Sequence, residues 1–234
     1  MAFRCKQFIV EDDFSTMRIG TDAMLLGAWA QPGNAKRILE IGTGCGLISL
    51  MLAQRSNAKI DAIDIDESSI NQARTNFQNS LWTKNLHAYA VALQDFLLGE
   101  KVKYDIIITN PPFFIDSLLS ADSRKNRARH NTDISRQELL SGIQRLLESD
   151  GSFYVILPVK ESDTFTLLAR EKGLYVRGQM NVRPISGKPI NRVLSCFGFQ
   201  SCDFLIEELC IRNEDHSFTE DYMVLTEPYY FSLR

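Results

Sequence analysis

The residues best suited to chemistry are Asn110, Pro111, Pro112 and Phe113, which follow the apolar, β-branched run 104–109. That run predicts a buried strand, and the two prolines must end it because neither can donate a backbone hydrogen bond. The loop therefore lies at the carboxyl end of a strand, where open α/β sheets place their ligands. Such a loop suits a flat base that carries an exocyclic amino group. An amide oxygen and a prolyl carbonyl can accept both hydrogens of the amino group, while the aromatic ring stacks on the base. The alternative is a strand and a turn, with Phe113 in the hydrophobic core.

Three glycines in a GxGxG pattern separate an apolar run from a helical one: Gly42, Gly44 and Gly46. Strand, glycine loop and helix form the opening of a nucleotide-binding βαβ unit, because glycine allows a tight turn and close backbone approach to a ligand. A dinucleotide fingerprint has its third glycine where this chain has Leu47, which argues against a pyrophosphate on the helix end. Glu40, at the end of the preceding strand, favours a cationic or amino group nearby.

Two further acidic residues follow the next two predicted strands. Asp64 ends the strand 59–64 and lies about 20 residues after Gly44, the distance at which such folds hold a ribose diol. Its alternative role is helix capping, although Asp66 is better placed for that. Asp95 and Phe96 follow the third strand and suit the amino group and the face of an adenine, a surface turn being the alternative.

The elements that must position these residues alternate between strand and helix five times and then become strand-rich. This order predicts an α/β fold: a doubly wound, mostly parallel, Rossmann-like seven-stranded sheet with an antiparallel hairpin edge. Thr21 or Asp22 is expected to cap a helix that ends at Ala30, and Ser135 with Glu138 has the spacing of a capping box.

Composition is that of an ordinary soluble globular protein, with 44% hydrophobic and 24% charged residues among 234. The net charge of −3 does not indicate a nucleic-acid partner, so any basic footprint must be local. Five cysteines without a CxxC pair suggest neither a disulfide framework nor a metal site, and a reducing cytoplasm fits them best. We expect no signal peptide and no membrane span.

Two local basic stretches are candidates for RNA binding. The first consists of Arg124, Lys125, Arg127, Arg129 and His130, and the second contains Arg183, Lys188 and Arg192 in a loop predicted over 183–192. Both are connected to strands at the side of the sheet where the Asn-Pro-Pro-Phe loop is expected. A phosphate backbone that enters there needs cations. The alternative is a pair of solvated surface loops.

Taken together and in this order, the glycine loop, the strand-end acids and the Asn-Pro-Pro-Phe loop resemble the class I S-adenosylmethionine-dependent methyltransferases that act on exocyclic nitrogens. The segment 14–30, with Gly20-Thr21-Asp22, and the tripeptide Ala128-Arg129-His130 resemble the tRNA1(Val) (adenine37-N6)-methyltransferase family. The resemblance implies S-adenosylmethionine as cofactor and tRNA as partner. It also implies one domain over 1–234, with 1–35 as a cofactor-flanking segment and 36–234 as the catalytic sheet.

The resemblance also implies roles for individual residues. The implied cofactor residues are Thr21, Asp22, Glu40, Gly42, Gly44, Gly46, Asp64, Asp95 and Phe96, and the implied catalytic residues are Asn110, Pro111, Pro112 and Phe113. The glycines would wrap the methionine part, the acid at 64 would take the ribose, and the acid at 95 the adenine amino group. Asn110 and the Pro111 carbonyl would hold the target nitrogen, and Phe113 would stack on the target base.

Other functions compete with this one. One alternative is a methyltransferase for another exocyclic amine, on an rRNA base or a release-factor glutamine, which shares the Asn-Pro-Pro loop. The glutamine methyltransferases, however, are longer chains with a helical domain before the glycine loop. An inert methyltransferase fold that only binds RNA is the alternative from a different class. A nicotinamide dehydrogenase fits less well because of Leu47. We expect a monomer in the cytoplasm, with neither a metal nor a membrane partner.

Overall fold

The computed structural model describes residues 2–15, 18–99, 102–111 and 134–231. The strands in these ranges are β1 (Ala2–Arg4), β2 (Ile9–Glu11), β3 (Arg37–Ile41), β4 (Lys59–Asp64), β5 (Leu86–Ala90), β6 (Tyr104–Thr109), β7 (Leu147–Pro158), β8 (Tyr175–Ile185), β9 (Arg192–Gly198) and β10 (Ile206–Arg212). The helices are α1 (Thr21–Trp29), α2 (Leu47–Ala53), α3 (Glu67–Gln78), α4 (Leu93–Gly99), α5 (Arg136–Leu146), α6 (Val159–Glu171) and α7 (Glu220–Thr226). No helix within these ranges combines the length and the apolar character needed to cross a bilayer.

The central sheet has the strand order β10-β8-β9-β7-β6-β3-β4-β5. Every neighbouring pair is parallel except that β9 runs antiparallel to both β7 and β8. The predicted doubly wound, mostly parallel sheet is confirmed, and β8 with β9 forms the predicted hairpin. Among the described residues the sheet has eight strands rather than seven, because β10 pairs with the outer side of β8. Strands β1 and β2 form a separate antiparallel hairpin.

Alternation along the central strands divides the core between the two faces of the sheet. In β6, for example, Ile106 and Ile108 contribute to one buried cluster and Ile107 contributes to the other. Helices α1, α2, α3 and α7 cover the first face, and α4, α5 and α6 cover the second. Because both faces are buried, the strands read as continuous apolar runs, which is why they could be recognised from the sequence.

Helix starts agree with the sequence where a local side chain makes the cap. Ser135 and Glu138 form the predicted capping box at α5, and Asp66 caps α3 by accepting the Ser69 N–H. The prediction that Thr21 or Asp22 caps α1 is wrong. The N-cap is Gly20, and the Asp22 side chain instead accepts a hydrogen bond from the side chain of Arg192, the first residue of β9.

Two elements differ from the sequence prediction in extent. Strand β8 continues through Pro184 to Ile185, so the predicted loop 183–192 is shortened to 186–191. The proline is tolerated because β8 pairs with β9 only as far as Val182, and the last residues pair with β10 alone. Asp95 and Phe96, expected after a strand end, lie in helix α4, which the sequence analysis did not predict.

Candidate active site

Asn110 and the start of the glycine loop follow neighbouring strand ends at the carboxyl edge of the sheet. Strands β3 and β6 are parallel neighbours, and their last residues, Ile41 and Thr109, are register partners. The Thr109 Oγ1–H donates to the Ile41 carbonyl over 2.7 Å and fixes the two strand ends together. The next residues along the two chains are Gly42 and Asn110. Asn110 is partly exposed at this edge.

The glycine loop adopts a backbone that only glycine accepts readily. Gly42, Gly44 and Gly46 have φ values of +72°, +54° and +85°. A Cβ on Gly46 would lie 2.5 Å from the Phe77 ring, which shows how closely the loop approaches α3. Among the described residues, no atom lies within 4 Å of a Cβ built on Gly42. Within that part of the chain, the Gly46 end of the loop is packed against α3 and the Gly42 end has no such neighbour.

Asp64 is bound to the glycine loop directly. Its Oδ2 accepts the Gly44 N–H at 2.9 Å, and its Oδ1 accepts the Asp66 N–H at 3.0 Å. A carboxylate has about four lone-pair sites, so two of them are not used by any described residue, and the side chain is partly exposed. The strand-end acid therefore lies beside the glycine loop, and its role toward a ribose stays a prediction.

Glu40 lies beneath the loop with 1% of its surface exposed. Its Oε2 accepts hydrogen bonds from Thr43 Oγ1 at 2.8 Å, from the Ser49 N–H at 3.0 Å and from the Ser49 hydroxyl. Burial raises the pKa of this carboxyl to about 7, although these bonds favour its charged form and counteract the shift. In this arrangement Glu40 braces the loop and the start of α2 from the protein side.

The remaining predicted cofactor residues lie around this edge without direct contact to the loop. Asp95 is exposed in the first turn of α4, whereas Phe96 is partly buried against the core of that face. Thr21 is exposed, and Asp22 Oδ2 pairs with Arg192 Nε at 2.8 Å. Their roles toward a ligand remain predictions.

Of the predicted RNA-binding residues, the second basic stretch is described. The loop 186–191 follows the carboxyl end of β8, so it lies at the same edge of the sheet as Asn110. Arg183 pairs with Glu208 at 3.1 Å, Arg192 pairs with Asp22, and Lys188 is exposed. The residues predicted for the first stretch, and the catalytic candidates Pro112 and Phe113, lie outside the described residues.

The sequence did not indicate which residues of the N-terminal segment lie beside the glycine loop. A Cβ on Gly44 would lie 3.3 Å from Ser15 Oγ, and that hydroxyl is 3.4 Å from Ser69 Oγ on α3. The Ser68 hydroxyl donates to the Phe14 carbonyl at 2.9 Å. Residues 12–15 therefore form part of the wall beside the glycine loop. No local pattern predicts these contacts, because they join residues 29 to 54 positions apart.

The comparisons with known proteins agree with this geometry. The family model described as "Methyltransferase small domain" matches residues 12–170. The tRNA1(Val) (adenine(37)-N6)-methyltransferase of Bacteroides fragilis is 41% identical over 99% of this chain and 98% of its own length. The protein of the same name from Photorhabdus laumondii is 36% identical over 97% of this chain and 94% of its own.

Among solved structures, one described as a predicted O-methyltransferase from Agrobacterium tumefaciens matches with a TM-score of 0.69. It covers 89% of this chain and 96% of that chain at 16% identity, so this likeness concerns the fold alone. The sequence matches carry the assignment further, since they extend over nearly the whole chain. The protein belongs to the methyltransferase small domain family and, within it, to the family of tRNA1(Val) (adenine(37)-N6)-methyltransferases.

Proposed function

We propose that this protein transfers a methyl group from S-adenosylmethionine to N6 of adenosine 37 in the anticodon loop of tRNA1(Val). The observation that carries the proposal is the 41% identity over 99% of the chain to a protein with that activity in its name. The geometry supports it, because Asn110 follows Thr109, and the register partner of Thr109, Ile41, directly precedes the glycine loop.

The residues at this edge fit the cofactor. Among the described residues, no atom near Gly42 would keep a ligand from the loop backbone, and Asp64 has acceptor sites that no described residue uses and that could take the ribose hydroxyls. Gly42, Gly44 and Gly46 would hold the methionine part, and the exposed carboxylate of Asp95 the adenine amino group. When bound, S-adenosylmethionine supplies a methyl group that its sulfonium has already activated for transfer.

The protein's task is then to make adenine N6 a better nucleophile. The lone pair of this nitrogen is delocalised into the ring, and the amino group is planar in the ground state. Asn110 Oδ1 and the Pro111 carbonyl would accept its two hydrogens and so favour the pyramidal, charge-developing geometry of the transition state. No strong base is required, because the nitrogen becomes far more acidic once it is methylated.

The target base must leave its stack to reach Asn110, which costs less in a single-stranded anticodon loop than in a duplex. The exposed Lys188 lies at the same edge, and we propose that it contacts the RNA backbone. Since every group invoked belongs to one chain, we propose that the protein acts as a monomer and a single domain. We also propose that it acts in the cytoplasm and that residues 1–35 flank the cofactor site.

The test is methyl transfer from labelled S-adenosylmethionine into total RNA that lacks the modification, followed by nucleoside analysis. We expect labelled N6-methyladenosine in tRNA and its loss when adenosine 37 of a tRNA1(Val) transcript is replaced by guanosine. Label in rRNA or in a release-factor protein would establish one of the alternative amine substrates. Cofactor binding without transfer to any of these would indicate an inert methyltransferase fold.

A further inference from the structure

A buried asparagine of α3, Asn76, has no part in the site described above. It is 2% exposed and lies on the face of the helix that packs into the core through Ile70, Ala73 and Phe77. An amide on such a face destabilises the fold unless its donors and acceptor are all paired. Its presence there therefore indicates specific partners.

The partners of Asn76 belong to two separate segments. The Nδ2 group donates to the Cys45 carbonyl and to the Glu11 carbonyl, each at 2.8 Å, and Oδ1 accepts the Glu11 N–H at 3.0 Å. Two carbonyls and one N–H fix the orientation of the amide, since the flipped side chain would face each partner with the wrong group. Aspartate lacks both donors, and glutamine is one methylene longer.

These bonds join the cofactor loop to the N-terminal hairpin. Cys45 lies between Gly44 and Gly46, while Glu11 is the last residue of β2 and leads into the segment 12–15 that covers the loop. Asn76 pairs with both backbone groups of Glu11, as a neighbouring strand would. One side chain therefore sets the Cys45–Gly46 peptide and the start of the covering segment in relation to each other.

We infer that Asn76 is a positioning residue that couples the cofactor loop to the N-terminal hairpin, so that cofactor binding orders residues 9–15 and the hairpin in turn strengthens cofactor binding. The inference rests on the proposed cofactor site. If the bound ligand restricts the motion of the glycine loop, the hydrogen bonds of Asn76 restrict the motion of Glu11 as well. By thermodynamic reciprocity, loss of the hydrogen bonds between Asn76 and Glu11 must weaken ligand binding to the same degree.

The first measurement is calorimetric titration with S-adenosylhomocysteine, well below the melting temperature, of wild type and Asn76→Asp. Aspartate has the same shape but turns a carboxylate toward two carbonyls. We expect about 10-fold weaker binding, within the range typical of coupled sites, with tRNA affinity unchanged. The matched control is Asn71→Asp, an exposed position on the same helix whose Oδ1 accepts from Arg74 and can still do so as a carboxylate.

The second measurement needs no variant. In wild type, saturating S-adenosylhomocysteine should slow hydrogen exchange of the Glu11 amide by about 10-fold, because opening the Asn76 bond then also disturbs the occupied loop. Unchanged exchange at Glu11, or Asn76→Asp affinity within twofold of wild type, would overturn the coupling. If Asn76→Asp does not fold, the wild-type exchange result decides. Failure of wild type to bind S-adenosylhomocysteine would instead refute the proposed cofactor site.

Discussion

The carboxylate of Asp22 and the guanidinium of Arg192 form an ion pair with 2.8 Å between Oδ2 and Nε. Asp22 lies in the first turn of α1, and Arg192 begins β9, so the pair joins the N-terminal segment to the carboxyl edge of the sheet. The two side chains are only 23% and 24% exposed, which limits screening by solvent. The pair therefore has a measurable part in holding α1 against this edge.

We expect Arg192→Met to lower the free energy of unfolding by about 1 kcal/mol, because it leaves a partly buried carboxylate without its cation. The measurement is urea unfolding of a double-mutant cycle with Asp22→Asn. A coupling energy of at least about 0.5 kcal/mol would confirm the pair. Strictly additive losses would show that each residue acts through other contacts.

Whether a feature could be predicted from the sequence depended on how local its cause is. The capping box of Ser135 and Glu138 spans three residues, and the glycine loop follows its own strand, so both were visible in the chain. The sequence predicted that both the glycine loop and Asn110 follow strands of a mostly parallel sheet, and the register of β3 against β6 brings Gly42 beside Asn110. The Asp22–Arg192 pair spans 170 residues. Nothing in either segment indicates it.

Asn76 is an intermediate case. Its position, three residues after Ala73 and one before Phe77, places an amide on an apolar helix face, and that conflict was a readable signal of a buried hydrogen-bonding role. The sequence could not indicate which backbone groups it meets. The extension of β8 through Pro184 was also unpredictable, because it depends on which neighbouring strand still pairs there.

Asn110 is the residue that we expect to act in the chemical step. Asn110→Ala removes an acceptor that is needed mainly in the transition state, so turnover should fall at least roughly 100-fold, about 2.7 kcal/mol. Affinity for S-adenosylhomocysteine should change little. Single-turnover kinetics with saturating cofactor and tRNA would measure the effect, and Asn71→Ala is the control. Turnover near the wild-type value would remove Asn110 from the catalytic assignment.

Asp64 is expected to hold the ribose while it braces the glycine loop. Asp64→Ala removes a charged acceptor worth roughly 1.5–3 kcal/mol, so S-adenosylhomocysteine should bind about 10- to 100-fold more weakly. Titration calorimetry measures this directly. Glu67→Ala, at an exposed acid near the start of α3, removes the same charge without contacting the loop and should bind normally. Equal affinity of Asp64→Ala and wild type would leave Asp64 with a structural role only.

Glu40 should make stability depend on pH. Burial raises its pKa in the folded protein to about 7 from an ordinary value of 4.5, so between these pH values the folded state keeps a proton that the unfolded state has lost. The free energy of unfolding must then fall as pH rises through this window.

The uncharged isostere Glu40→Gln can still accept from Thr43 and Ser49 through its Oε1, and it removes this titration. We therefore expect the stability of wild type relative to Glu40→Gln to fall by more than about 1 kcal/mol between pH 4.5 and 8, as a shift of more than one pKa unit requires. Urea unfolding of both proteins across the range measures the difference. Parallel pH profiles would show that Glu40 keeps an ordinary pKa in the folded protein.

Lys188 tests whether tRNA approaches over the loop between β8 and β9. Arg183 and Arg192 are held in ion pairs, whereas Lys188 is exposed at the edge of the sheet that carries Asn110. Lys188→Glu should weaken tRNA binding and reduce the slope of log affinity against log salt by about 0.7–0.9, as loss of one phosphate contact requires. Affinity for S-adenosylhomocysteine should not change.

Lys84→Glu is the matched control for Lys188→Glu. Lys84 is exposed and precedes β5 at the opposite edge of the sheet, and its substitution makes the same change in net charge. A general effect of net charge would weaken both variants equally, whereas a local contact weakens only Lys188→Glu. If both variants bind tRNA with the wild-type affinity and salt slope, the RNA backbone does not contact this loop.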